Sequence, residues 1–159
     1  MVGAIAAAAA IDASSSASAW TRIAAHEAAL TAHALRGLAG VPGVRIHGDD
    51  DPGRAPRRLG VVPFEMAGVK HGRVAARLAA EHAIGVRSGC FCAHPYLVHL
   101  LGLDDAQTRA VQRRLAADDD SDTPGLVRIS FGIGNTLDDV DALVAALRAI
   151  ATEASAPAE

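Results

Sequence analysis

The segment Leu126 to Ile133, LVRISFGI, constrains the fold more than any other stretch of the chain. Val127, Ile129 and Phe131 alternate with Arg128, Ser130 and Gly132, the period of a strand with one face in a core. Thr136 is then placed to cap a closing helix, with Asp138 and Asp139 in its positive first turn. Val140, Leu143, Val144, Leu147 and Ile150 form that helix's apolar stripe. A half-buried strand that feeds an amphipathic helix needs other strands beside it and other helices over it.

The rest of the chain supplies both. Val2 to Ile11 reads as an alanine-rich helix and is followed by a soft stretch, Asp12 to Ala19. From Ala19 to Leu38, Trp20, Ile23, Leu30, Ala34 and Leu38 recur at helical spacing, with Gly37 and Gly40 expected to stop the helix. Val44 to Ile46 is a short strand and Gly48 to Arg58 a loop. Leu59 to Met66 is a second strand, in which Pro63 suits an edge or a bulge. His71 to His82 forms an amphipathic helix, with Val74, Ala75 and Leu78 opposite Arg73, Arg77 and Glu81. Ile84 to Val86 leads into another strand candidate, Arg87 to Pro95 reads as an ordered loop, and Tyr96 to Leu101 as a short helix. Asp104 to Ala117 is a polar helix, and DDDSDTPG after it a solvated loop. Several connections are too short for crossover helices. The expected fold is therefore α/β (α+β): a small antiparallel or mixed sheet with helices on one face.

At 159 residues this is one domain's worth of chain. Half of it is hydrophobic but only 3% is aromatic, so alanine, leucine and valine must fill the core. A net charge of -3 argues against nucleic acid, which selects clustered Lys and Arg. The opening MVGAIAAAAAI lacks the basic start of a secretory signal and is too short to span a bilayer. Two cysteines one residue apart do not make a disulfide framework, which points to a reducing, cytoplasmic setting.

The densest chemistry lies in Arg87-Ser88-Gly89-Cys90-Phe91-Cys92-Ala93-His94-Pro95-Tyr96. If this run is extended, Cys90, Cys92 and His94 point to one side, where they could grip zinc with His99 as a remote fourth ligand. Structural zinc sites, however, space their cysteines two to four residues apart and add a second pair of ligands. Alternatively a cysteine here is a reactive thiolate, favoured by Arg87 or a protonated His94. The third possibility is that both cysteines are small buried hydrophobes.

The same segment resembles the catalytic loop of cysteine desulfurases and selenocysteine lyases, members of the class V aminotransferase family, in which Arg-x-Gly leads into Cys-Ala-x-Pro. The likeness continues through Leu59 to Gly85, through Val127-Arg128-Ile129-Ser130 followed by Asn135-Thr136, and back to Val2-Gly3-Ala4-Ile5. It covers nearly the whole chain as the C-terminal part of a longer pattern. It implies that Cys92 is the sulfur-accepting thiol, that Arg128 clamps the substrate's α-carboxylate, and that Arg87 orients the loop or meets substrate. Cys90 and His94 would support the loop. The chain departs from the desulfurase form at Phe91, where histidine is usual, at Cys90, and at Gly134. The scaffold also serves transaminases, epimerases and lyases.

The resemblance implies pyridoxal phosphate as cofactor, bound through a lysine. Fourteen of the 15 basic residues are arginine, and the one lysine, Lys70, opens a polar-faced helix with no apolar pocket in view. The family's lysine lies in a large domain upstream of the segment this chain resembles. The expectation is therefore that 1–38 leads toward that missing domain, that 39–153 is the small C-terminal domain, and that 154–159 is a frayed tail. The large domain, or a second protomer, would be the partner that completes an amino-acid site. A metal-binding or non-catalytic remnant is the alternative.

Overall fold

The computed structural model describes residues 16–117 and 123–154, so the expected helix over Val2 to Ile11, most of the acidic run and the C-terminal tail lie outside the described residues. Helix α1 spans Ser16–Ala39 and leads into β1, Val44–Ile46. A 3₁₀ helix at Pro52–Arg57 then precedes β2, Val61–Met66, and α2, His71–His82. Strand β3 is Arg87–Gly89, followed by α3, His94–Leu100, and α4, Asp105–Ala116. The chain closes with β4, Leu126–Ser130, and α5, Leu137–Ala154.

The sheet is fully antiparallel in the order β1-β2-β4-β3. One face carries Val62, Phe64 and Met66 of β2 and Val127 and Ile129 of β4, all buried. They join Leu30, Ala34, Leu35 and Leu38 of α1, Val74 and Leu78 of α2, and the inner side of α5 in a single core. The alternation legible in LVRIS is thus the real one: Val127 and Ile129 face the core and Arg128 the opposite side. Helix α4 buries none of its side chains.

Four sequence expectations change. Gly37 lies inside α1 rather than stopping it, because the helix crosses α5 there. A Cβ on Gly37 would come within 2.5 Å of Val144 Cγ2. The loop after β1 contains the 3₁₀ helix, whose Ala55 is fully buried. Trp20 is 66% exposed, and no described side chain before Leu30 is buried, so the apolar spacing at the start of α1 does not mark a core face.

Pro63, finally, sits in a central strand and not at an edge. Its carbonyl accepts from His47 N at 2.9 Å, which shows that its missing N–H faces β1. N–H and C=O of one residue point the same way in an antiparallel ladder. Strand β1 ends at Ile46, so the proline costs the sheet one bond at the end of a ladder.

The helices are pinned by polar contacts as well. Arg77 of α2 holds Glu81 with two hydrogen bonds of 2.7 Å and reaches Glu153 of α5 at 2.6 Å. Its guanidinium is held charged still more firmly than usual by Glu81, while Arg77 lowers the Glu81 carboxyl below its ordinary range. Thr136 caps α5 as expected: its hydroxyl accepts from Asp139 N at 3.3 Å, and Asp139 accepts from Thr136 N at 2.8 Å. That backbone bond, with one from Asn135, lowers the Asp139 carboxyl.

The Gly37 contact yields a sign test. Helix propensity alone makes Gly37→Ala stabilising by about 1 kcal/mol. Crowding against the stiff, buried Val144 outweighs this, so the variant should lose about 1 kcal/mol in denaturant unfolding. A gain would mean that α1 and α5 do not approach as closely as described.

Candidate functional site

The outer face of the sheet is where charge gathers. Because paired residues of an antiparallel ladder share a face, Arg128 stands between Pro63 of β2 and Arg87 of β3, its direct partners in register. Like charges directly opposite each other across a ladder repel. Among the described residues neither arginine has an ion-pair partner to relieve this. Arg87 is exposed, whereas Arg128 is half-buried and its Nε is enclosed with no hydrogen-bond partner. An unpaired buried N–H costs on the order of 1–3 kcal/mol, so this edge of the guanidinium lacks an acceptor that would stabilise it. A carboxylate, which takes two parallel N–H bonds, matches it.

The cysteines lie just past β3. Here the extended reading fails: the chain turns back at once, with Ala93 N donating to Cys90 O at 2.9 Å. Phe91 and Cys92, the two central residues, have φ of 54° and 60°, the sign pattern of a type I′ turn. Such turns favour Asn and Gly, and left-handed backbone costs other residues roughly 1–2 kcal/mol each. Arg87 to Gly89 is an edge strand, not loop, and α3 begins at His94, two residues earlier than the sequence pattern indicates. Cys90, Cys92 and His94 are therefore not aligned on one side of a strand. Among the described residues no group of three His, Cys, Asp or Glu side chains is placed to hold a metal ion. Cys90 is half-buried, while Cys92, His94 and His99 are exposed.

What joins the turn to the sheet is Phe91. Its ring centroid lies 5.0 Å from Arg128 Cζ, a cation–π stack. Sequence reading marked Phe91 only as a departure and missed its partner, which becomes visible once β3 and β4 are paired. Asn135 was read as part of a cap and does more. Its side chain accepts from Gly132 N at 2.8 Å, and its backbone carbonyl meets His26 Nε2 of α1 at 2.9 Å. The strand-to-helix turn after β4 is thereby locked to α1. Nothing in the periodicity of α1 singles out His26.

Lys70 is elsewhere. It is an exposed residue at the N-cap of α2, beside a cleft lined by Glu65, His71, Arg73, Leu101 and Thr123. Arg128, Phe91 and Cys92 do not line that cleft.

Comparison with known proteins shows the family. The family profile for aminotransferase class V matches residues 1–143. The chain belongs to the class V aminotransferase family. The family depends on pyridoxal phosphate, and the relatives are named mainly for sulfur chemistry. A probable cysteine desulfurase of Pseudomonas putida is 36% identical over 125 residues, 79% of this chain and 24% of that protein. Probable cysteine desulfurase 1 of Mycobacterium leprae is 35% identical over 130 residues, 82% of this chain and 17% of that protein. The crystal structure of the cysteine desulfurase CsdA of Escherichia coli superposes with a TM-score of 0.57 at 30% identity, covering 82% of this chain and 25% of that one. The chain thus spans about a quarter or less of the length of these relatives. Among the described residues, no helix is long and apolar enough to cross a membrane.

The exposure difference between the two thiols is directly measurable. Mass-resolved labelling with limiting iodoacetamide should modify Cys92 several-fold sooner than Cys90. Equal labelling would contradict the turn as described.

Proposed function

We propose that this chain is the substrate-facing part of a cytoplasmic, pyridoxal-phosphate-dependent cysteine desulfurase, completed by a cofactor-bearing domain that another segment or polypeptide provides. The observation that carries the reading is Arg128, a half-buried guanidinium with an enclosed, partnerless Nε on the sheet face opposite the core, in contact through Phe91 with the turn bearing Cys92.

The residues fit the two ends of an amino-acid substrate. Arg128 would take the α-carboxylate through its Nε edge, giving bidentate recognition that a lysine cannot reproduce. Arg87, opposite it, adds positive charge at the rim. Cys92 is exposed at the tip of a tight turn, where its thiolate would attack the substrate's sulfur. The S–S bond forms as the substrate's C–S bond breaks; the carbon keeps the bonding pair and takes a proton. Thiol and L-cysteine give persulfide and alanine, with atoms and electrons in balance. The residues do not fit the cofactor itself, since Lys70 is exposed and lies on a cleft that excludes the clamp. The cofactor's lysine and phosphate site are assigned to the completing domain, and no step here is routed through them.

The experiment is a chimera in which this chain replaces the matching segment of the Pseudomonas putida relative. It should release sulfide from L-cysteine in the presence of a reductant. Cys92→Ser should abolish release while cofactor binding persists, and Arg128→Lys should raise KM for L-cysteine at least about tenfold. Sulfide release unchanged by Cys92→Ser would remove the thiol from the reaction, and amino-group transfer without sulfide would place the chain in the transaminase branch.

A further inference from the structure

We propose that Phe91 is a positioning residue that couples the Cys92 thiol to the Arg128 guanidinium, so that a carboxylate bound by the arginine is presented to the thiol. The inference rests on the reading of Arg128 as clamp and Cys92 as reactive thiol, and adds a residue that the desulfurase pattern does not supply.

Three observations carry it. First, the ring and a carboxylate engage the group in different ways. Arg128 Cζ lies over the face of the Phe91 ring, 5.0 Å from its centroid, whereas the enclosed Nε has no hydrogen-bond partner. The contact is not a hydrogen bond, so it leaves the enclosed Nε still in want of an acceptor.

Second, the ring is held at a backbone conformation an aromatic residue rarely adopts, φ 54°, and Cys92 follows at φ 60°. Strain of this kind persists where surrounding contacts determine it, and it clusters at functional sites. Two contacts of the turn are available to do so: the Cys90–Ala93 backbone bond and the stack on Arg128. An aliphatic residue could fill the space, but it would leave turn and guanidinium free to move apart.

Third, Arg128 is fixed independently by its strand. Its backbone lies in the central β4 ladder between Pro63 and Arg87, so the stack ties the turn to a side chain whose own strand is fixed on both sides. The thiol is then one residue from an anchored ring. A histidine at this position would, when protonated, repel the guanidinium; phenylalanine attracts it at every pH.

The test needs neither cofactor nor turnover. In the full 159-residue chain carrying Cys90→Ser, the rate of Cys92 alkylation by iodoacetate is divided by that by iodoacetamide. The ratio cancels the thiol's intrinsic reactivity and exposure, and reports how strongly positive charge is held beside it. Arg87, at the start of β3, is kept in every variant. A single charge released from that neighbourhood lowers the ratio by about threefold. Phe91→Leu and Arg128→Gln should both show this fall, and Phe91→Tyr should not. A pentafluorinated ring at position 91, which keeps the shape and reverses the quadrupole, should behave as leucine does. An unchanged ratio in Phe91→Leu, or a ratio maintained by the fluorinated ring, would overturn the proposal. Either result leaves the desulfurase reading standing, since that is judged by sulfide release alone.

Discussion

The register of β4 between β2 and β3 fixes both what the core contains and what the opposite face presents. With Val127 opposite Phe64 and Ile129 opposite Val62, the apolar residues fall on the side covered by α1, α2 and α5. The same pairing sends Arg128 to the other side, between Pro63 and Arg87. Side chains alternate with period two, so a slip of one residue would bury the guanidinium and expose the core. The hydrophobic effect thus places Arg128 indirectly, by leaving β4 one favourable register. The β4–α5 turn, locked by Asn135 to His26 and capped by Thr136, holds that register at the end of the strand.

The Cys92 turn has the opposite character. It buries neither of its cysteines fully and adopts left-handed backbone at two residues that do not favour it. Its anchor to the sheet is an electrostatic contact between Phe91 and Arg128 rather than a packed core. A well-packed sheet supplies a fixed arginine, and a strained turn supplies a thiol. One ring connects the two.

Much of this was legible in the sequence because it depends on local periodicity. The alternation in LVRIS, the apolar stripe of α5, the bounds of α2 and the Thr136 cap all follow from side-chain spacing and end chemistry, while the roles proposed for Arg128 and Cys92 come from a motif. What was not legible depends on residues distant in sequence. Gly37 looks like a helix stop until α5 is known to cross it. Pro63 looks like an edge residue until β1 is known to end before reaching it. Cys90, Cys92 and His94 look aligned only if their segment is extended, and the turn that prevents this requires unfavourable φ at Phe91 and Cys92, which no propensity would have suggested. The stack of Phe91 on Arg128 joins residues distant in sequence and needs both the β3–β4 pairing and the turn that follows β3.

The proposed function is a division of labour, in which this chain would hold the substrate's carboxylate and sulfur while the cofactor's lysine would come from another segment or polypeptide. Mass spectrometry after borohydride reduction of the purified chain with equimolar pyridoxal phosphate tests it most directly, because reduction makes any lysine linkage permanent. The account predicts no stoichiometric pyridoxyl addition at Lys70. A full single addition there, lost in Lys70→Arg, would show that the chain carries its own cofactor site and would contradict the division.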